Sequence, residues 1–125
     1  LGAKEERVET FFKNERISDE QYLRLIRRLP CAVCMKEPPS EAAHIRVNDI
    51  RYLFTGAGMG HKPGDQWVLP LCAEHHRTGP EAEHVIGTVA FWEKHGNPFP
   101  IAKQLRDLAP RQDLMLQYLF NRYYL

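Results

Sequence analysis

The sequence carries no long apolar run and no surplus of charge of either sign. Its apolar stretches fall far short of the roughly 20 consecutive residues that a membrane-spanning helix needs, so no membrane role is expected. Lysine and arginine number 17 against 16 aspartates and glutamates, a net charge of +1. Domains that hold nucleic acid by bulk electrostatics alone are strongly basic, and that mode is excluded. Cysteine is scarce and odd in number, three in 125 residues, which argues against a disulfide framework and points the thiols to metal or redox chemistry. The opening LGAKEERVETFF has no apolar signal core and no small-residue cleavage site, so a cytoplasmic protein is expected. Internal repeats and low-complexity segments are missing too. What remains, 43% hydrophobic and 26% charged residues, is the balance of one globular domain.

Helical signals open and close the chain. ISDEQYLRLIRRLP offers Ser18 and Gln21 as a capping box, sets Tyr22, Leu25, Ile26 and Leu29 on one face, and stops at Pro30. An earlier short helix is expected around Val8, Phe11 and Phe12. Between the turn signals KEPPS and TGAGMGHKPGD, the run AAHIRV alternates, with Ala43, Ile45 and Val47 facing one way and His44 and Arg46 the other. QWVLPLC alternates again through Trp67, Leu69 and Leu71 and predicts a long-looped hairpin, with Pro70 confining it to an edge or an end. Beyond it, CAEHHR starts a short helix. EHVIGTVAFWEKHG reads as one helix by Val85, Val89 and Trp92, with Gly96 as its stop. PIAKQLRDLAP follows with Ile101, Leu105 and Leu108 in register, and the final DLMLQYLFNRYYL is apolar nearly all round, hence either buried or an oligomer contact. The fold class is α+β.

Two knuckles share one spacing. Cys31-x-x-Cys34 and Cys72-x-x-His75 each place a pair of ligands on one tetrahedral ion, and together they close a structural zinc site. Thiolate-held zinc contributes about 10–16 kcal/mol of apparent folding free energy in small modules, enough to outweigh closing the loop between the knuckles. The competing reading is a redox CxxC with Cys72 as a small buried hydrophobe, but no βαβ pattern surrounds Cys31. His75 keeps the two-residue gap, which leaves His76 for other work.

His44 on the polar side of the first strand is a candidate base, and Asp65 closes the glycine-rich loop. An imidazole with an ordinary pKa of about 6.5 accepts a proton from water, while a carboxylate and a further imidazole can hold a divalent cation against a phosphate. His61 and Lys62 in the loop are further candidates for the ion and for phosphate, although loop residues of these types are usually just solvated. GAGMGHKPG lacks the Gly-Lys-Ser/Thr of a phosphate-binding loop and no helix follows it. Arg24, Arg27 and Arg28 read as a solvated helix face.

The order CxxC, AHIR, GMGHKPGDQWVLPLC, EHH and FWEKHG resembles the HNH (ββα-metal) nucleases, in particular the prophage-type branch that includes the phage recombination-enhancement (Ref-like) nuclease. The resemblance covers residues 29–108. It implies a hairpin packed on a helix, within a single nuclease domain divided into N-terminal helices (1–30), a zinc and ββα-metal core (31–96) and C-terminal helices (97–125). By the resemblance, His44 matches the general base, Asp65 the residue that orients the base or the metal, and His76 a metal ligand opening the helix. Other members carry a further histidine one turn later. Here that position is Pro80, and His84 stands beyond the insertion RTGPEAE as the replacement. Ala43 occupies a place where many members have an acidic or histidine ligand, which makes His44 itself a candidate ligand by the resemblance.

The resemblance thus implies a metal-dependent DNA endonuclease of phage or prophage derivation in a bacterial or infected cell. It would carry a structural Zn²⁺ and a catalytic divalent cation such as Mg²⁺ or Mn²⁺ held near Asp65, His76 and His84. Arg46, Arg51 and Lys62 would contact the nucleic acid. The partners implied are DNA, a recombinase filament and a second copy through the C-terminal aromatic helix. The alternative is a zinc-stabilised DNA-binding or partner-binding module that has lost catalysis, which Ala43 and Pro80 favour.

Overall fold

Asp19 opens the first helix. The computed structural model describes residues 19–46 and 64–125. Its elements run α1 (Glu20–Arg27), β1 (Glu41–His44), β2 (Val68–Leu71), a π-helical turn (Glu74–Thr78), α2 (Glu83–Ile86), α3 (Thr88–His95), α4 (Pro98–Leu108) and α5 (Gln112–Tyr124). The α+β class is as expected, with one two-stranded sheet and five α-helices among the described residues. No helix among them is long and apolar enough to cross a membrane.

The cap of α1 lies one residue later than the sequence predicts. Asp19, not Ser18, is the N-cap, its carboxylate accepting from Tyr22 N at 3.0 Å, because a carboxylate meets an orphan N–H and the positive end of the helix together. Tyr22, Ile26 and Leu29 are buried as expected and Leu23 joins them, while Leu25 is half-buried. Arg24 and Arg27 pair with Glu20 on the exposed face. The early helix around Val8, Phe11 and Phe12 lies outside the described residues, as do Val47, Arg51, His61 and Lys62.

The hairpin is antiparallel, with Ala43 opposite Leu69 and His44 opposite Val68. Alternation holds on β1, where Ala43 and Ile45 are buried, His44 is half-buried and Arg46 is exposed. It fails on β2, which is buried on both faces. Helices α1 and α4 pack on this strand, so Val68 and Pro70 are covered as fully as Leu69 and Leu71. Pro70 is tolerated because β2 is an edge strand of the two-stranded sheet among the described residues, where no further strand needs its missing N–H, and its carbonyl accepts from Ala32 N at 2.8 Å. A buried Val or Leu contributes roughly 1.5–3 kcal/mol, and trimming Leu69 to Ala would cost about 2–5 kcal/mol through the cavity left.

The expected single helix over 83–96 is two. Gly87 adopts φ +95° and ψ 151° between α2 and α3, a backbone that L side chains rarely take, and the chain turns there. Val85 consequently points to solvent instead of the core, 59% exposed, whereas Trp92 is buried. Gly96, with φ +108°, ends α3 as predicted. Helix α4 buries Ile101 and Leu105, with Leu108 half-buried. Helix α5 buries only Met115 and Leu119, leaving Leu114, Leu116, Phe120, Tyr123 and Tyr124 exposed.

Candidate functional site

Cys31, Cys34, Cys72 and His75 converge with their ligand atoms all within 4.8 Å of one another. The first knuckle is shaped by Met35 N donating to Cys31 O at 2.8 Å and Val33 N to Cys31 Sγ at 3.4 Å, with Met35 at φ +63°. The Cys34 and Cys72 sulfurs lie 3.9 Å apart, and His75 Nδ1 lies 3.9 Å from Cys31 Sγ and 3.2 Å from Cys72 Sγ. A Zn–S bond of about 2.3 Å puts tetrahedral ligands about 3.8 Å apart, so this Cys₃His set fits zinc. Burial, aided by the neighbouring Cys31 and Cys72 sulfurs, pushes the Cys34 thiol up to about 12. His95 backs the cluster, its ring 5.9 Å from that of His75, and burial lowers its pKa.

His44 and Asp65 form a dyad. His44 Nε2 lies 2.7 Å from Asp65 Oδ1, and Asp65 Oδ2 accepts from Asp19 N at 2.7 Å. The start of α1 therefore fixes the carboxylate, and the carboxylate fixes the ring. Because a carboxylate only accepts, Nε2 carries the proton and Nδ1 keeps the lone pair. This is the arrangement of a base and its orienting group.

His76, Glu83 and His84 form a second group, again with ligand atoms within 4.8 Å of one another. His75 and His76, consecutive residues of one helical turn, point apart, and the turn widens beyond them. Gly79 N bonds Glu74 O at 2.9 Å, five residues back, and a side chain at Gly79 would meet that oxygen at 2.8 Å. Single π turns of this kind are frequent at functional sites. The His76 and His84 rings lie 4.4 Å apart. His76 Nδ1 donates to Glu41 Oε1 at 2.7 Å, and Arg77 donates to the same carboxylate, its Nη2 at 2.7 Å from Oε2. Those Arg77 bonds, with His76 beside them, hold the Glu41 carboxyl below the usual range. Nε2 of His76 thus keeps its lone pair, and two imidazoles with a carboxylate are ligands that first-row cations accept. Burial, then neighbouring His76 and Arg46, lowers the His84 pKa and favours the neutral, ligating imidazole.

Glu83 is 3% exposed and accepts from Trp92 Nε1 at 3.0 Å. Burial raises its pKa. Arg46 lies on the His44 side of its strand, and its charge is felt at both Glu83 and His84. It also lines a shallow groove of about 600 Å³ with Thr88, Val89, Ala90 and Glu93.

The sequence-predicted residues are therefore brought together in three sets. The zinc knuckles meet as expected, His44 meets Asp65, and His76 meets His84 in place of the turn position held by Pro80. Asp65 contacts His44 and is absent from the second ligand group. Ala43 faces the core, 2% exposed. Arg51 and Lys62 fall outside the described residues. Sequence reasoning missed Glu41, Arg77, Glu83 and Trp92. The only signal available for Glu41 and Glu83 was an acidic residue near a histidine, too common to single out.

A family model described as a protein of unknown function, DUF968, matches residues 4–111. The chain belongs to DUF968. The matched part takes in both ligand groups and the dyad, and ends before α5. Among curated proteins, the DUF968 chain is similar to the uncharacterized protein YdfU of Escherichia coli (strain K12), at 33% identity over 97 residues. That alignment covers 78% of this chain and 24% of YdfU, so the chain spans about a quarter of its relative's length. No solved structure matches this DUF968 chain.

Proposed function

We propose that this protein is a metal-dependent DNA endonuclease of the HNH (ββα-metal) type that hydrolyses phosphodiesters. The observation that carries the reading is the His44–Asp65 hydrogen bond of 2.7 Å, on the strand that also supplies Glu41 to His76. Glu41 and His44 are three residues apart, about 10 Å along a strand. Arg46, on the His44 side, senses the ligand group.

In this reading His44 Nδ1 takes the proton from a water molecule, and the resulting hydroxide oxygen bonds to phosphorus as the opposite P–O bond breaks. The departing oxygen is protonated from solvent. Asp65 keeps the ring oriented and stabilises the imidazolium that forms. His76 and His84 would hold a divalent cation such as Mg²⁺ or Mn²⁺, which when bound supplies positive charge to the phosphate oxygens. Arg46, with Arg51 and Lys62, contacts phosphate and sets register without reading sequence. Cys31, Cys34, Cys72 and His75 would hold a structural zinc, which when bound would tie the residue 31 knuckle to the residue 72 knuckle and steady the π turn that presents His76. DNA is the proposed substrate and a recombinase filament a proposed partner; a filament that leaves the cleavage rate unchanged removes the latter. The exposed face of α5 supports self-association, which light scattering at two concentrations tests against a constant monomer mass.

A second reading, a zinc-stabilised DNA-binding or partner-binding module without catalysis, is favoured by buried Ala43, which offers no ligand from β1. Supercoiled plasmid incubated with the protein and Mn²⁺ or Mg²⁺ separates the two. Metal-dependent nicking supports the enzyme; intact plasmid with DNA binding retained supports the module.

A further inference from the structure

We propose that Glu83 is the anionic ligand of the second group and makes it a site for a first-row divalent ion in preference to Mg²⁺. The proposal deepens the cation-dependent reading above and rests on the His76–His84 pair introduced there.

Its first support is cost. A carboxylate almost wholly removed from water is unfavourable by several kcal/mol unless it is compensated, and at 3% exposure Glu83 has the neutral Trp92 N–H as its hydrogen-bond donor, at 3.0 Å. One neutral donor leaves most of the charge unanswered, and an ionised carboxylate accepts at about four lone-pair sites. Among the described residues, the side chains that could share an ion with it are the two imidazoles, while the Arg46 charge also acts on it but makes no hydrogen bond to it. A cation shared among the three groups answers the charge.

The second support is construction. In a continuous helix, residue 92 would stand nine residues, about 13.5 Å along the axis, from residue 83. The break at Gly87, with φ +95°, instead folds α3 back so that Trp92 Nε1 reaches the Glu83 carboxylate. The arrangement repeats on the other side, where Glu41 accepts from His76 Nδ1. Two of the three ligands, Glu83 and His76, are thus held by an outer partner, and such partners typically change metal affinity 10- to 100-fold. Donor chemistry gives the preference. Two imidazoles and one carboxylate suit Mn²⁺, Co²⁺ or Zn²⁺, whereas Mg²⁺ favours oxygen ligands and keeps its waters.

The test is titration of zinc-loaded protein with Mn²⁺, read by electron paramagnetic resonance of the free ion, and with Mg²⁺ by competition. The parent is expected to bind one Mn²⁺ at least tenfold more tightly than Mg²⁺. Glu83→Gln keeps the Trp92 bond and removes the charge, and is expected to lose Mn²⁺ affinity at least tenfold. Should that variant not fold, Trp92→Phe serves, with an expected loss of about tenfold. Parent affinity in the folded variant used, or equal affinity of the parent for the two ions, overturns the proposal. Glu83-dependent Mn²⁺ binding without any DNA cleavage leaves the ligand assignment standing and removes the nuclease reading. Cleavage with Mn²⁺ affinity indifferent to residue 83 does the reverse.

Discussion

His75 and His76, adjacent in the chain, serve two different groups: His75 Nδ1 lies 3.2 Å from Cys72 Sγ, while His76 Nδ1 lies 2.7 Å from the Glu41 carboxylate. Consecutive helical residues point about 100° apart, so one short turn is enough to aim one imidazole at the thiols and the next at Glu83 and His84. The Cys₃His cluster and the His76–Glu83–His84 group are therefore linked through a single peptide unit.

Zinc content is the first consequence. Elemental analysis of the purified protein is expected to give one tightly held zinc per chain. Cys72→Ser should abolish it, and because about 10–16 kcal/mol of apparent binding free energy rivals the whole stability of a domain, about 5–15 kcal/mol, the variant should lose its cooperative thermal transition. A Cys72→Ser protein melting at the parent midpoint would show that the thiols hold no structural ion.

Asp65→Asn tests the orientation of the base. The amide keeps an acceptor oxygen for either His44 or Asp19 N but no longer stabilises the imidazolium, so cleavage should slow by about 10- to 100-fold, less than the roughly 10²- to 10⁴-fold of a lost base. Unchanged cleavage would remove Asp65 from the proposed mechanism.

Arg46→Ala tests the nucleic-acid contact. Affinity for DNA measured against salt should weaken uniformly across sequences, with the slope of log K against log salt smaller by about 1. A parental slope would show that Arg46 meets no phosphate.

The alkaline limb of stability tests the α1–α4 contact. Tyr22 is buried with the Arg106 guanidinium 4.5 Å from its ring centre, and its hydroxyl has no hydrogen-bond partner among the described residues. Burial, opposed in part by Arg106, raises its pKa well above the ordinary tyrosine value. An acid whose folded pKa is raised contributes stability below the unfolded pKa of about 10 that is lost as pH climbs toward the folded value. Urea melts above about pH 10 should therefore fall by about 1.4 kcal/mol per pH unit more steeply in the parent than in Tyr22→Phe. Parallel curves would contradict this.

How much of this was legible follows from what local sequence encodes. The two knuckles were, because ligand spacing is a local property, and so was the pairing that brings Ala43 opposite Leu69. The split at Gly87 was not: an isolated glycine inside an apolar period reads as a tolerated residue, and only its positive φ shows the turn. With that turn hidden, Trp92 and Glu83 sat far apart on one imagined helix, and Val85 was assigned to a core it does not enter. The burial of Val68 and Pro70 on the other face of β2 is hidden for a related reason, since alternation cannot reveal helices packing from the second side. The shift of the cap from Ser18 to Asp19 is a choice between neighbouring good caps, which Tyr22 N decides.

The most direct measurement is single-turnover cleavage of duplex DNA with Mn²⁺ by the parent and by His44→Ala, with zinc content checked in both. The account predicts cleavage by the parent and a loss of about 10²- to 10⁴-fold in the variant at undiminished zinc. Equal rates in the two proteins, or none in the parent under either Mn²⁺ or Mg²⁺, would contradict it.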